Sequence, residues 1–189
     1  AYCALARRYA AAAKHGMLVI MCGPSGSGKS TVAKHLAARM GAVVIRSDAV
    51  RKHLAGHAPG ERAAGIYTRG MTRRTYAFLI NEAQRIGASG FPVVLDATFA
   101  EREHRERALS AFASVDLPVR IVRCRASEDT LRNRLDSREG DISDADTAVL
   151  MRQLENFEEL DDTECRIAVD LDTDRPINYT KLARALTQD

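Results

Sequence analysis

No apolar run in this sequence approaches the roughly 20 residues that cross a bilayer, and no secretory leader is recognisable, so no membrane association is expected. Charge of one sign is scarce as well. Twenty-eight Lys and Arg stand against 25 Asp and Glu, a formal +3, which is too small to argue for bulk DNA binding and leaves open a local cluster of basic groups. The five histidines fall without metal-ligand spacing. The four cysteines, Cys3, Cys22, Cys124 and Cys165, form no C-x-x-C pair. They lie mostly in apolar strand-like runs, the pattern of buried reduced thiols in a cytoplasmic protein rather than a zinc site or a disulfide framework. At 189 residues the chain can close one full core.

Against these absences stands one dense motif, Gly23 Pro24 Ser25 Gly26 Ser27 Gly28 Lys29 Ser30, followed by Thr31. It fits the phosphate-loop pattern G-x-x-x-x-G-K-[ST], between an apolar strand-like run, Met17 to Cys22, and a helical stretch, Ser30 to Met40. The glycines let the backbone turn its N–H groups onto a phosphate. Lys29 supplies a point charge for the terminal phosphates and Ser30 a hydroxyl for Mg²⁺, while the helix aims its positive end at the anion. A nucleoside triphosphate is the implied ligand.

The rest of the chain alternates strands and helices. Ala42 to Ile45, Phe91 to Leu95, Pro118 to Cys124 and the alternating Cys165, Ile167, Val169 and Leu171 read as further strands. Helices are expected from about Ile66 to Ile86 and Glu101 to Ala113, after a Ser127 cap, after a Ser143 cap, and after Pro176. The polar stretch at about 137–146 has the composition of a flap. Residues 1–16 read as an appended helix or the tail of a preceding segment, with 17–189 as the main domain. Five parallel strands covered by helices on both faces make an α/β, three-layer fold, with the ligand outside the carboxyl ends of the strands.

At those ends stand Asp48, Asp96 and Thr98. A motor would place paired acids where this strand ends in Asp96 Ala97 Thr98. A GTP switch would need an N-K-x-D base reader, and Asn133 Arg134 Leu135 Asp136 lacks the Lys. What remains is phosphoryl transfer, which asks for positioning, charge neutralisation and a carboxylate for the acceptor hydroxyl. Asp48 is the candidate base, a helix N-cap, or both. Arg51, one turn later, either holds a polar or anionic group of the acceptor or is solvated. Asp96 either serves magnesium or the acceptor or orders Thr98. Arg132, Arg134 and Arg138 flank the flap; at least one is expected to reach the phosphates, and Arg138 lies nearest the flap. Arg69, Arg73 and Arg74 form a charged helix face that either lines the acceptor pocket or is solvated.

The phosphate loop, Arg46 Ser47 Asp48 with Arg51, Leu95 to Phe99, and the Arg-bearing flap ending in Ser143 Asp144 Ala145 together resemble the small P-loop kinases often called predicted kinases. Their relatives include polynucleotide 5′-kinases, zeta toxins, chloramphenicol phosphotransferases and gluconate kinase. The resemblance implies an adenylate-kinase-like P-loop NTPase fold, ATP with Mg²⁺, and transfer to a hydroxyl with Asp48 as base. It also implies that Asp172 to Pro176, Arg175 included, lies near the adenine, and that an aminoglycoside-phosphotransferase-like domain precedes this one as a fusion partner. A small-molecule hydroxyl is the expected acceptor. A polynucleotide 5′-hydroxyl and a non-catalytic ATP-binding regulatory role stay open.

Overall fold

The computed structural model describes residues 16–58, 65–137 and 147–187. The N-terminal helix and the flap expected from the sequence, Arg138 with it, lie outside the described residues, Gly16 and Ser137 excepted. Five parallel strands form one sheet: β1 (Met17–Cys22), β2 (Val43–Arg46), β3 (Pro92–Asp96), β4 (Val119–Arg125) and β5 (Ala168–Asp172), in the order β2-β3-β1-β4-β5. The helices are α1 (Lys29–Met40), α2 (Ser47–Leu54), α3 (Arg69–Ala88), α4 (Arg102–Ala113), α5 (Glu128–Asp136), α6 (Thr147–Glu155), α7 (Asp162–Arg166) and α8 (Tyr179–Thr187).

Every residue of the central strand β1 is buried, as a strand covered on both faces must be. Its period of two divides the core. Leu18, Ile20 and Cys22 pack with Leu79, Ile80 and Ala83 of α3 and Ala108 and Phe112 of α4. Met17, Val19 and Met21 face Val32, Ala33 and Leu36 of α1 and Leu182, Ala183 and Leu186 of α8. These are the three layers and five parallel strands the pattern predicts.

The structure corrects several expected boundaries. The long helix begins at Arg69, not Ile66, because Thr68 caps it by accepting from the Met71 N–H, and it runs through Gly87 to Ala88. Tyr67 therefore precedes the helix, and both Tyr67 and Phe78 are exposed. The alternation from Cys165 is not all strand. Asp161 and Glu164 form a capping box that starts α7, so Cys165 lies on a helix and β5 begins at Ala168. Cys165 is exposed, whereas Cys22 and Cys124 are buried as expected. Asp48 is not the N-cap of α2. That position is Arg46, and Asp48 sits in the first helical turn, where a carboxylate suits the helix dipole.

Candidate active site

The phosphate loop joins β1 to α1 at the carboxyl edge of the sheet. Gly23 and Gly26 hold φ of 137° and 83°, a region in which side chains are strained. A Cβ on Gly23 would meet the Cys124 carbonyl oxygen at 2.4 Å, and one on Gly26 the Leu131 carbonyl oxygen at 2.8 Å. The loop is thus wedged between β4 and α5 with room for hydrogen only. The Gly23 N–H donates to the Thr98 carbonyl at 3.0 Å, which ties the loop to the end of β3.

Lys29 is 9% exposed, and its Nζ donates to the Pro24 carbonyl at 2.7 Å across the loop. Burial pushes its pKa down, and the nearby Asp96 carboxylate opposes that shift. The Ser27 hydroxyl is buried without a hydrogen-bond partner. A buried ammonium and an orphaned hydroxyl beside a glycine cradle are what a phosphate group would satisfy.

Two cavities meet at this loop. One, of about 480 Å³, is lined by Gly26, Gly28, Thr31, Arg134, Thr173 and Arg175, among others. Arg134 is fastened rather than mobile: its Nη1 donates to the Gly26 carbonyl (3.2 Å) and Thr173 Oγ1 (2.9 Å), and its Nη2 to the Thr173 carbonyl (2.8 Å). Arg175 is exposed and pairs with Asp172 at 3.0 Å. Arg132 pairs with Glu128 on the outer face of α5.

The other cavity, of about 650 Å³, is lined by Ser25, Asp48, Arg51, Arg73, Asp96 and Thr98, with others from α3, α4 and α6. Lys29 and Ser30 line both. Parallel register brings this side together: Asp96 stands opposite Met21 on one side and Arg46 on the other. The buried Asp96 carboxylate lies 3.3 Å from Arg46 Nε. The Ser30 hydroxyl and Asp96 carboxylate are hard oxygen donors of the type Mg²⁺ takes. Among the described residues no three His, Cys, Asp or Glu side chains cluster as a metal site.

Of the sequence-predicted residues, Asp48, Arg51, Arg73, Asp96, Thr98, Lys29 and Ser30 thus converge on one cavity, while Arg134 and Arg175 face the other. Arg74 is exposed and is not among the lining residues. Several contributors went unread in the sequence. Tyr76 Oη lies 3.1 Å from Thr98 Oγ1 and accepts from the Phe99 N–H at 3.1 Å, fixing the end of β3. His104 stacks on Tyr76 at 3.9 Å, and burial lowers its pKa, favouring the neutral ring. Gln153 Oε1 accepts from the Ser25 N–H at 2.7 Å, bringing α6 with Arg152 to the cavity rim. One signal was available: Arg69, Thr72, Arg73 and Tyr76 recur at i, i+3, i+4, i+7, a polar stripe on α3. The Gln153 contact spans 128 positions and leaves no local pattern.

The sequence matches the AAA-domain family AAA_33 over residues 18–160. Two uncharacterized mycobacterial proteins, Rv2004c of Mycobacterium tuberculosis and Mb2027c of Mycobacterium bovis, are each 32% identical over 133 residues, which is 68% of this chain and 27% of theirs. The chain therefore spans about a quarter (27%) of the length of these curated relatives. Among solved structures, a sugar kinase from Janibacter sp. superposes with a TM-score of 0.66 at 23% identity, covering 90% of this chain and 92% of that one. A gluconokinase from Sinorhizobium meliloti gives 0.63 at 23%, covering 92% and 90%. The APS kinase CysC of Mycobacterium tuberculosis, in complex with AMPPNP and APS, gives 0.65 at 20%, covering 92% and 96%. No described helix is long and apolar enough to cross a membrane. The chain belongs to the AAA_33 family, and its fold is that of the small P-loop kinases.

Proposed function

We propose that the protein is an ATP- and Mg²⁺-dependent phosphotransferase that moves the γ-phosphoryl group to a hydroxyl of a small-molecule acceptor in the cytoplasm. One observation carries this reading. Lys29 and Ser30 line both cavities, so a triphosphate bound at the loop from the Arg134 side presents its terminal phosphoryl to the cavity that holds Asp48. The second cavity has the small-molecule scale expected of such a site.

The proposed roles follow from position. Backbone N–H groups of the Gly26–Thr31 part of the loop and Lys29 hold the phosphates, with Arg134, Thr173 and Arg175 bordering the remainder of the nucleotide. Ser30 and Asp96 would hold Mg²⁺, whose charge stabilises the phosphates during transfer. Asp48 accepts the proton of the acceptor hydroxyl as that oxygen bonds to phosphorus and the bond between phosphorus and the ADP oxygen breaks, giving ADP and the phosphate ester. Arg51, Arg73 and Thr98 orient the acceptor. Arg138 and Arg152 are the arginines proposed to neutralise charge in transfer.

The test is to incubate wild type and Asp48→Asn with γ-labelled ATP and Mg²⁺ against pooled sugars, nucleosides, aminoglycosides and a 5′-hydroxyl oligonucleotide. Transfer to a small molecule, reduced about 10²- to 10⁴-fold in the variant, is the expected result. Label on the oligonucleotide alone would make the acceptor a polynucleotide. ATP binding without transfer to any pool would make the domain a non-catalytic ATP-binding module.

A further inference from the structure

We infer that Gln153 of α6 is a ligand of the terminal phosphoryl group, with its carboxamide oxygen seated on the phosphate loop and its Nε2 donating to the oxygens of that group. One peptide unit carries the first step. The Pro24–Ser25 peptide is gripped on both edges: its carbonyl accepts from Lys29 Nζ at 2.7 Å, and its N–H donates to Gln153 Oε1 at 2.7 Å. A backbone N–H is satisfied only by the oxygen end of a carboxamide, so this bond settles which way the Gln153 amide is turned. The Nε2 end, with two N–H donors, therefore faces away from the loop backbone, and among the described residues it has no protein partner. Gln84 shows the contrast, its Nε2 being spent on the Ala111 carbonyl at 2.7 Å and Ser114 Oγ at 3.0 Å.

Position decides what those donors meet. Within the loop, Ser25 lines only the larger cavity, Gly26, Gly28 and Thr31 only the smaller, and Lys29 and Ser30 both. A triphosphate laid along the loop from the Arg134 side thus ends at Lys29 and Ser30, on the flank where Ser25 and Gln153 form the wall. Asp48 and Asp96 line the same cavity and, when ionised, can only accept, whereas Gln153 brings two donors without adding a charge. The packing of α6 keeps it there. Leu150 is fully buried with Leu131 and Leu135 of α5, and Gln153 follows it by three residues on the same helix face. Anchored at its base by that packing and at its oxygen by Ser25, the amide is oriented before a phosphate arrives, as a donor that stabilises transferring charge must be.

This role rests on the loop holding a triphosphate and not on transfer to an acceptor, so nucleotides alone test it. Calorimetric titration of AMPPNP and of ADP, each with Mg²⁺, into wild type, Gln153→Glu and Gln153→Leu gives the comparison. Gln153→Glu keeps an oxygen for the Ser25 N–H but turns a second oxygen to the phosphate in place of the donors. It should weaken AMPPNP about tenfold or more beyond any loss of ADP affinity. Gln153→Leu, which brings no repelling oxygen, should show a smaller loss of the same kind. Equal losses for the two nucleotides, or an AMPPNP affinity that neither variant changes, would leave Gln153 as a docking residue only and overturn the inference.

Hydrogen exchange at the Ser25 amide separates this arrangement from a phosphate that displaces Gln153. With Gln153 holding Ser25 while it donates to the phosphate, AMPPNP should slow that exchange in wild type more than ADP does, and the extra slowing should vanish in Gln153→Leu. The same extra slowing in Gln153→Leu would mean that the phosphate takes the Ser25 N–H itself, and overturns the inference. AMPPNP binding that follows the predicted pattern, with transfer to none of the acceptor pools, would count against the kinase reading and support the contact. A wild type that binds no AMPPNP would overturn both.

Discussion

Replacing Glu164 by Gln removes the counter-charge of the buried Arg105. Arg105 Nε donates to Glu164 Oε1 at 2.6 Å and Nη2 to Glu164 Oε2 at 3.2 Å. Its remaining N–H groups go to the carbonyls of Phe99 (2.9 Å), Ala100 (3.1 Å) and Glu159 (3.2 Å), so all five donors are used. The pair thereby clamps the loop after β3, where Phe99 adopts a left-handed φ of 44°, to the segment that precedes α7. Glu164→Gln keeps the shape, turns an acceptor into a donor facing the guanidinium, and leaves a buried charge uncompensated. Such a loss costs about 3–5 kcal/mol. For a chain of this size that lowers Tm by roughly 6–20 °C. Arg105→Met should cost at least as much, since it strands the carboxylate and three carbonyls. The double variant should cost less than the two singles added, by about 1–3 kcal/mol. Urea titration followed by circular dichroism measures all three, the chain having no Trp to report by fluorescence. Additive energies, or a Glu164→Gln cost under about 1 kcal/mol, would refute the clamp.

Three further outcomes are expected. Lys29→Met should abolish stabilisation by ATP in a thermal-shift assay, while the midpoint without nucleotide stays at or above wild type because a buried cation is gone; a lower midpoint would contradict this. Burial pushes the Cys22 thiol up to about 11 and the Cys124 thiol to about 12, from 9.0. The unfolded chain therefore loses these protons first, and stability should fall above pH 9 by up to about 1.4 kcal/mol per pH unit for each thiol. Lys29, with its lowered pKa, works in the opposite direction below 10.5; at pH 9 that one ammonium offsets up to two half-ionised thiols, so the net fall belongs to the range above pH 9, where both thiols of the unfolded chain are ionised. Urea midpoints at pH 8, 9 and 10 check the sign, and Cys124→Ala should flatten the slope. Gln153→Leu should release the Ser25 N–H and cost about 1 kcal/mol of local stability, read as roughly fivefold faster hydrogen exchange at that amide; unchanged exchange would show that α6 is held by Leu131, Leu135 and Leu150 alone.

How much of this was legible depended on whether the signal was local. The phosphate loop carries its own strand, glycines and helix within one stretch, and the alternation in β1 divides directly into the two cores. That Asp48 and Asp96 share one cavity was legible because strand ends in a parallel sheet share an edge. Period alone failed where a cap intervened. Ile66 and Tyr67 extended an apolar helical pattern that the Thr68 cap interrupts, and Cys165 joined an alternation that the Asp161–Glu164 capping box had already claimed for a helix. Contacts that depend on tertiary closure were invisible: the His104–Tyr76 stack, the bond from Ser25 to Gln153, and the fastening of Arg134 to Thr173. Arg134 shows why a basic residue near a flap is ambiguous in sequence, since the same guanidinium that suits a phosphate also suits three backbone and hydroxyl oxygens.

The central claim is that a phosphoryl group crosses from the phosphate loop to a hydroxyl beside Asp48. Single-turnover transfer from γ-labelled ATP, with ATP affinity measured separately on the same protein, tests it most directly. Asp48→Asn should bind ATP within about threefold of wild type and transfer the label at least about 10²-fold more slowly to the acceptor that wild type uses. Equal transfer rates in the two proteins would remove Asp48 from the reaction, and the reading of the larger cavity as the acceptor site with it.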